Sequence, residues 1–332
     1  MTEVLFLTSE AVDGLAEPRN YVDVVREGYR QRGDGAPAKP RTALESDDPP
    51  GMVTTYAAIL PDTGTMGGYM YSAGFGDADA WFVTPLFDAS SGALLAIIDG
   101  ASMNPFKTGA AGAVGVDALA REDASEVAIF GSGAQARGQL RATATVRDLE
   151  RVRVYSPTRA NRVAFADEMT DTVGVPVEPV SDGSAAVAGA DIVITATTAS
   201  EPVFDGDDLE PGTHITAMGQ YHPSKTELDA RTVERAVYVP DLEERVRRDA
   251  GAFLSARAAG VVDDDHVHAE LGDVVTGTAP GRTDPSQITL FDSGGTGIET
   301  VAAASLLYER ALDAGRGTAL EFAPASEALT GR

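Results

Sequence analysis

The sequence predicts an α/β protein in which a Rossmann-like, doubly wound parallel sheet is inserted into a smaller α+β domain. Two observations predict this fold class. Residues 127–300 alternate short β-branched runs with amphipathic helical stretches, whereas residues 1–106 combine one helical stretch with short strands separated by turns such as PDTG and DASSG. The first pattern is typical of consecutive βαβ units, and the second indicates antiparallel hairpins.

The elements are justified in chain order by their periodicity. In the first part of the chain we expect a helix near residues 21–32 and a proline-rich link at 36–40. Strands of the parallel sheet are predicted at 127–130, 152–155, 191–195, 214–218, 237–239 and 288–291. Helices are predicted at 134–149, 159–169 and 298–314, the last one alanine-rich and followed by a loose tail.

Charge and composition exclude several classes of protein. The 332 residues include 51 acidic and 26 basic side chains, for a net charge of −25, and only Lys39, Lys107 and Lys225 are lysines. Nucleic-acid binding needs a basic surface, which this chain lacks. An acidic, lysine-poor surface is typical of proteins that work at high salt, where charge repulsion is screened over short distances.

Further exclusions concern compartment and chemistry. The chain has no cysteine, which excludes disulfides and thiolate catalysis, and no apolar run reaches the ~18 residues that a membrane span needs. The first residues show neither a basic start nor a signal-peptide cleavage site. We therefore expect a protein of a high-salt cytoplasm that has neither membrane nor nucleic-acid partners.

The segment EVAIFGSGAQAR at 126–137 predicts a dinucleotide-binding cradle. After the buried strand, Gly131 makes the tight turn and Gly133 lets the backbone approach a pyrophosphate. The helix that begins at Ala134 and Gln135 points its free N–H groups at the phosphates. Ala136 stands where a third glycine is common, and a glycine turn that only packs strand against helix is the alternative.

The end of the second strand indicates which cofactor is used. An acidic residue there would hold the ribose 2′-hydroxyl of NAD, but the chain has Ser156, Thr158, Arg159 and Arg162 instead. Hydroxyls and guanidinium groups suit a 2′-phosphate, so the sequence favours NADP(H) and leaves NAD(H) open. The alternative is that both arginines are ordinary solvated helix residues.

Two further strand ends are candidates for the nicotinamide half of the cofactor. The strand ADIVITATT ends at Thr197 and Thr198, and the next ends at Gly219. Small and hydroxyl-bearing residues at the carboxyl edge of a parallel sheet lie where a dinucleotide binds. The same residues could instead only cap their strands.

Taken in order, several segments resemble the ornithine cyclodeaminase/mu-crystallin family, and the similarity covers nearly all of the chain. They are PRT at 40–42, GMVTTY at 51–56, KTGAA at 107–111, GSGAQA at 131–136, ADIVITATT at 190–198, PSKTELD at 223–229, 270–275 with 281–282, and LFDSGGTGIET at 290–300. With the acidic composition, we identify the chain as a haloarchaeal-type member.

The resemblance implies an organisation and a chemistry. Residues 1–112 with 301–332 form a substrate-binding and dimerisation domain, and residues 113–300 form the dinucleotide-binding domain. Gly294, in the last segment, joins the cofactor-binding residues. The implied reaction is hydride transfer at the Cα of a small amino or imino acid, in a homodimer.

Such chemistry requires a cation for the substrate carboxylate. Arg41 matches the first carboxylate-binding arginine of the family, and its guanidinium fork suits bidentate recognition. Lys107 stands where the family has a second arginine, keeping the charge and losing the fork. Thr108 resembles the threonine that contacts the cofactor phosphates.

Two positions depart from the family pattern. Tyr69 stands where a lysine is usual after the glycine pair, and Tyr221 where deaminating members carry an aspartate. A phenol donates a proton but is a poor base at neutral pH. We predict these two tyrosines as catalytic proton donors, with packing residues as the alternative and His222 as a titratable neighbour.

These residues predict an NAD(P)-dependent oxidoreductase that reduces a ketimine or cyclic imine. The alternatives are an ornithine cyclodeaminase or alanine dehydrogenase, and an NADPH-dependent binding protein without turnover. His266 and His268 follow an acidic run, but this region resembles a family helix without metal, so we predict no metal site.

Overall fold

In this computed structural model, which describes residues 2–76 and 78–330, the described chain forms two seven-stranded sheets. The first sheet has the order β14-β1-β6-β5-β4-β3-β2. In this sheet β1 and β6 pair in parallel, and all other neighbouring strands pair antiparallel. The strands are β1 (Thr2–Leu7), β2 (Thr42–Asp47), β3 (Pro50–Leu60), β4 (Thr65–Ala73), β5 (Trp81–Asp88), β6 (Leu94–Asp99) and β14 (Thr318–Phe322).

The second sheet is parallel throughout and confirms the predicted Rossmann-like fold class. Its order is β12-β13-β11-β10-β7-β8-β9. The strands are β7 (Glu126–Phe130), β8 (Arg151–Tyr155), β9 (Val177–Pro179), β10 (Ile192–Thr195), β11 (His214–Ala217), β12 (Ala236–Pro240) and β13 (Ile288–Asp292). The chain moves outward through β8 and β9 and then returns to β10 beside β7. Ligands of open α/β sheets bind at this reversal of strand order.

The helices cover the two sheets and connect them. They are α1 (Ser9–Val12), α2 (Pro18–Gly33), α3 (Gly100–Leu119), α4 (Ala134–Thr143), α5 (Arg159–Val173), α6 (Gly183–Val187), α7 (Ala230–Arg235), α8 (Glu243–Asp249), α9 (Gly251–Ala258), α10 (Leu271–Thr276), α11 (Gly297–Ala314) and α12 (Ala325–Thr330). Both predicted domain boundaries, after residues 112 and 300, fall inside helices α3 and α11. Residues 1, 331 and 332 of the predicted first domain lie outside the described residues.

Helix α3 packs against the cofactor-side helix α4 through glycine. A Cβ on Gly109 would lie 2.3 Å from the carbonyl oxygen of Gly138, and a Cβ on Gly138 would lie 2.1 Å from that of Pro105. Only glycine permits so close an approach of two backbones. The amide of Gln139 also donates to the Thr108 carbonyl at 2.8 Å. Residues of α3 are therefore held in a fixed position relative to the start of α4.

The structure differs from three sequence expectations. Helix α4 ends at Thr143 rather than 149, where a turn precedes β8. The short edge strand β9 was not predicted. The expectation of a loose tail after α11 is wrong, because β14 pairs antiparallel with β1 and helix α12 follows. Most of β14 is exposed, so its sequence carries no apolar alternation that would reveal a strand.

Candidate active site

A cleft of about 290 Å³ lies between the inner face of the first sheet and the carboxyl edge of the parallel sheet. Its lining brings together seven residues predicted from sequence. They are Arg41, Tyr69, Lys107, Thr108, Gln135, Tyr221 and Gly294. These positions come from separate elements of the chain, so the fold assembles them. The cleft lies at the carboxyl ends of β11 and β13, next to the start of α4.

Arg41 lies just before β2 and is aimed at the cleft by neutral partners. Its Nη1 donates to the Tyr71 hydroxyl at 3.2 Å, and its Nη2 donates to the carbonyl oxygen of Gly294. Its guanidinium carbon lies 5.1 Å from the ring centroid of Tyr221. The buried Nε has no hydrogen-bond partner, and Arg41 forms no ion pair within the described chain. The side chain therefore keeps a full positive charge available to an anion.

Lys107 lies in α3 and is only 1% exposed. Its Nζ lies 3.7 Å from Oε1 of Glu299 and 4.8 Å from the ring centroid of Tyr69. Burial lowers the pKa of this lysine, Glu299 opposes that effect, and the nearby Arg41 adds to it. Lys107 is thus a buried cation that loses its proton at a lower pH than an ordinary lysine.

The two predicted tyrosines occupy different environments. Tyr69 is buried, and its hydroxyl donates to the Gly100 carbonyl at 3.2 Å. Tyr221 is half-buried, and no residue in the described part of the chain hydrogen-bonds to its hydroxyl. Burial raises the pKa of both phenols, so both are protonated at neutral pH. Of these two tyrosines, Tyr221 is the one whose hydroxyl proton has no acceptor among the described residues.

The glycine turn after β7 has the geometry of a phosphate cradle. Gly131 has φ +111°, its N–H donates to the Tyr155 carbonyl at 2.9 Å, and a Cβ there would lie 2.4 Å from the Ala196 carbonyl oxygen. Gly133 is the N-cap of α4, and a Cβ there would meet nothing within 4 Å. Ala136, at the position where a third glycine is common, is fully buried.

These residues fit a bound dinucleotide. The space over Gly133 is open at a helix N-terminus, where backbone N–H groups favour phosphate. The adjacent Gln135 has a buried Oε1 without a partner, and it faces the same cleft as Arg41. The cradle and the cation-lined cleft are therefore continuous at Gln135.

The end of β8 is braced internally. Ser132 Oγ donates to Ser156 Oγ at 3.0 Å, and Arg162 Nη1 donates to the Ser156 carbonyl at 3.0 Å. Thr158 and Arg159 are exposed, and Arg159 makes no hydrogen bond or ion pair within residues 2–76 and 78–330. Arg162 thus shapes the loop, whereas Arg159 remains available to a ligand.

A buried carboxylate that sequence reasoning missed ties the strand ends near Thr197, Thr198 and Gly219. Glu227 accepts hydrogen bonds from Thr195 Oγ1 at 2.8 Å, Thr197 N at 2.6 Å and Gly219 N at 2.8 Å. Burial raises its pKa, and these donors oppose that effect. The Thr198 carbonyl accepts from Lys225 Nζ at 2.9 Å. The family-like segment PSKTELD contains both Glu227 and Lys225, which was the available signal.

A second missed cluster positions Gly294. The buried guanidinium of Arg245 contacts Asp241 at 2.7 Å, Asp292 at 2.7 Å and Asp249 at 3.3 Å. Asp241 also accepts the Gly294 N–H at 2.8 Å, and the Gly294 carbonyl in turn accepts from Arg41. The cluster therefore holds the acceptor that orients the cation of the cleft.

His266, His268 and His222 contact nearby protein groups. His266 and His268 each bond a main-chain carbonyl through Nε2, at 2.7 Å and 2.8 Å. His222 pairs with Ser224, and its Nε2 lies 3.9 Å from Glu45. The described residues contain no group of three or more histidine or acidic side chains that could hold a metal ion. No helix formed by residues 2–76 or 78–330 is long and apolar enough to cross a membrane.

Comparison with known proteins agrees with this geometry. The sequence profile described as the ornithine cyclodeaminase/mu-crystallin family matches residues 2–315. A Δ1-pyrroline-2-carboxylate reductase of Bacillus cereus is 34% identical over 241 residues, covering 72% of this chain and 74% of the relative.

Two solved structures share the whole fold. The Thermococcus litoralis Δ1-pyrroline-2-carboxylate reductase, in complex with NADH and L-proline, has a TM-score of 0.90 and 33% identity, and the match covers 95% of this chain and 99% of that one. An archaeal alanine dehydrogenase dimer with bound NAD has a TM-score of 0.90 and 30% identity, with coverage of 97% and 100%.

The strand order, the cradle and the cation-lined cleft beside it define the class of protein, an NAD(P)-dependent oxidoreductase. The particular family follows from the profile match and the relatives. The chain belongs to the ornithine cyclodeaminase/mu-crystallin family, which confirms the resemblance seen in its motifs.

Proposed function

We propose that this oxidoreductase reduces the C=N bond of a small imino acid, either a ketimine or a cyclic imine. The observation that carries the proposal is that Arg41 and Lys107 face one cleft beside the dinucleotide cradle. Two cations at this place suit a substrate carboxylate, which orients the adjacent Cα. The solved relative bound to NADH and L-proline supports the same substrate class.

Each residue has a role in this chemistry. When bound, the reduced nicotinamide supplies the hydride that adds to Cα. Arg41 holds the carboxylate by its fork and Lys107 by its charge. The C=N electron pair moves to nitrogen, which takes a proton, and Tyr221 is the favoured donor because its hydroxyl has no protein acceptor among the described residues. The Tyr69 hydroxyl is held by Gly100 and serves as the second candidate.

For the cofactor we assign Gly131, Gly133, Ala134 and Gln135 to the pyrophosphate. Thr108, Thr197, Thr198, Gly219 and Gly294 are assigned to the nicotinamide half or the phosphates. The preference for NADP(H) rests on Ser156, Thr158, Arg159 and Arg162, of which Arg159 is the free cation. The substrate-binding and dinucleotide-binding domains are taken as residues 1–112 with 301–332, and 113–300.

Homodimer formation is supported by the outer face of the first sheet. Large apolar side chains are exposed there, with Trp81 at 75% and Leu44 at 67%. Met70 and Val83 lie in register on neighbouring strands of the same face. Contiguous exposed apolar surface marks an association site. Light scattering of the wild-type chain and Trp81→Glu in molar KCl tests this, and a wild-type monomer would contradict it.

The acidic, lysine-poor composition supports a haloarchaeal-type protein of a high-salt cytoplasm. We expect the midpoint of thermal unfolding to rise when KCl is increased from about 0.1 M to the molar range, because salt screens the repulsion. An unchanged midpoint would contradict this assignment.

The activity is tested by following NADPH absorbance in molar KCl. Δ1-pyrroline-2-carboxylate and Δ1-piperideine-2-carboxylate should each oxidise the cofactor. Oxidation with pyruvate and ammonium alone would instead favour an alanine dehydrogenase, and proline formed from ornithine without net cofactor change would establish a cyclodeaminase. Tight NADPH binding with no turnover would favour a binding protein. The last three results would each overturn the proposal.

A further inference from the structure

The two cations that line the cleft, Lys107 and Arg41, have different partners. The Lys107 ammonium is opposed by the buried Glu299 carboxylate at 3.7 Å. Arg41, in contrast, is bonded only to the neutral oxygens of Tyr71 and Gly294. None of the described residues lining the cleft is acidic. Arg41 therefore has no carboxylate of the described chain within ion-pair distance, Asp249 acts on its charge from outside the lining, and the described lining presents no negative group to a ligand.

The side of the cleft formed by the first sheet is aromatic and apolar. Tyr69 stacks on Phe82 with ring centroids 5.2 Å apart and an interplanar angle of 20°. Tyr71 lies 5.1 Å from the same phenylalanine ring. Met52, Ala73 and Ala80 complete this side of the cleft. Such a wall binds flat or apolar groups, and its described residues include no charged side chain.

We propose that the imino acid taken by this cleft has one carboxylate and an uncharged flat or apolar side chain, and that dicarboxylates and diamino acids are excluded. This specificity rests on the proposed imine reduction. A second carboxylate would need a further cation, because Arg41 and Lys107 both hold the first and the Lys107 charge is also shared with Glu299. A second ammonium would need a carboxylate. An unpaired charge in a buried site is strongly disfavoured.

Phe82 is the specificity-determining residue in this arrangement. Its ring contacts both Tyr69 and Tyr71, so it forms the centre of the wall. The neighbouring Trp81 and Val83 point to the opposite face of the sheet and are exposed. Substitution of Phe82 should therefore change side-chain selection and leave carboxylate binding by Arg41 intact.

The first experiment compares keto acids that form ketimines with methylamine, at fixed NADPH in molar KCl. We expect kcat/KM for phenylpyruvate and 4-methyl-2-oxopentanoate to exceed that for 2-oxoglutarate by about a hundredfold or more. Equal or greater kcat/KM with 2-oxoglutarate would overturn the specificity. If cyclic imines and ketimines all fail to react, the proposed reaction fails instead, and the binding experiment still decides the specificity.

That binding experiment uses ligands that cannot be reduced. With NADP⁺ present, pyrrole-2-carboxylate should raise the unfolding midpoint, whereas succinate and L-ornithine at the same concentration should not. Absence of a shift with pyrrole-2-carboxylate, or an equal shift with succinate or ornithine, would overturn the proposal.

A variant pair locates the effect. Phe82→Ala should lower kcat/KM for phenylpyruvate with methylamine about tenfold and change that for pyruvate by less than about threefold, because only the side-chain contact is lost. Phe322→Ala is the matched control on the exposed strand β14 and should change neither. Equal losses for both keto acids in Phe82→Ala would overturn the assignment of this wall.

Discussion

Lys107 in α3 and Glu299 in α11 form an ion pair that is buried on both sides, with Nζ 3.7 Å from Oε1. Glu299 also accepts the Thr296 N–H at 2.6 Å, as part of the capping box that begins α11. One carboxylate thus fixes the start of a helix and balances a cation of the cleft. The position of Lys107 depends on this partner, which comes from the far end of the sequence.

The lowered pKa of Lys107 predicts an alkaline limit for substrate binding. The ammonium contributes while pH stays below the folded-state pKa, and its contribution is lost as pH rises through it. We expect KM for the imino acid to rise about tenfold as pH increases through this lowered pKa, the scale of one charged contact. Lys107→Arg keeps its charge over this range and is the control for titration of the substrate itself. The same rise in both proteins would contradict the role of Lys107.

The same pKa shift affects stability with the opposite sign. Between the lowered folded-state pKa and the ordinary value near 10.5, the unfolded chain holds the proton and the folded chain does not. The free energy of unfolding contributed by Lys107 therefore rises with pH in this window. Denaturant titrations of wild type and Lys107→Arg check the difference.

Arg41→Ala should raise KM for the imino acid well over tenfold, because a charged hydrogen bond contributes about 1.5–3 kcal/mol. Steady-state kinetics in molar KCl measure the effect. Lys39→Ala is the matched control, because it removes a nearby cation outside the cleft. Lys39 Nζ pairs with Glu244 on the exposed surface at 2.8 Å. An unchanged KM in Arg41→Ala would remove Arg41 from the site.

Gly133→Asp separates cofactor binding from folding. Its φ of −88° suits any residue, Asp is a favourable N-cap, and a side chain there meets open space. The unfolding midpoint without cofactor should be unchanged or higher, and the increase caused by NADPH should be lost through repulsion of the phosphates. Gly131→Ala should instead lower the midpoint without cofactor, because of its positive φ and the close Ala196 carbonyl. A normal NADPH response in Gly133→Asp would refute the cradle.

Arg159→Ala should raise KM for NADPH about tenfold and leave KM for NADH unchanged, since the 2′-phosphate is the only group that differs. Arg151→Ala is the control, because Arg151 pairs with Glu126 at the opposite end of β8. A wild-type preference for NADH would show that the hydroxyls and arginines after β8 were misinterpreted.

Local patterns in the sequence were sufficient to predict the parallel sheet and the glycine turn after β7. The apolar runs of β7 and β10 and the glycines after β7 are signals contained within a few consecutive residues, so they can be recognised without knowledge of distant contacts. Motif order, through the family resemblance, also predicted that Arg41 and Lys107 serve one site, and both line the cleft.

The partners of those cations could not be predicted. Glu299 resembles an ordinary helix-start carboxylate, and nothing in the segment near Lys107 identifies it as the pairing residue. Arg245 lies in a charged run, EERVRRD, that resembles a solvated helix, yet it is buried against three aspartates. These contacts arise from packing of distant elements, and their sequence signals are no different from those of surface residues.

The most direct test is a crystal structure of the protein with NADP⁺ and L-proline, the product expected from Δ1-pyrroline-2-carboxylate. We expect the proline carboxylate within about 3.5 Å of the Arg41 guanidinium and about 4 Å of Lys107 Nζ, with Cα against the nicotinamide ring. A carboxylate bound elsewhere, with Arg41 and Lys107 both turned away from the nicotinamide, would contradict the proposed activity even if the dinucleotide occupies its cradle.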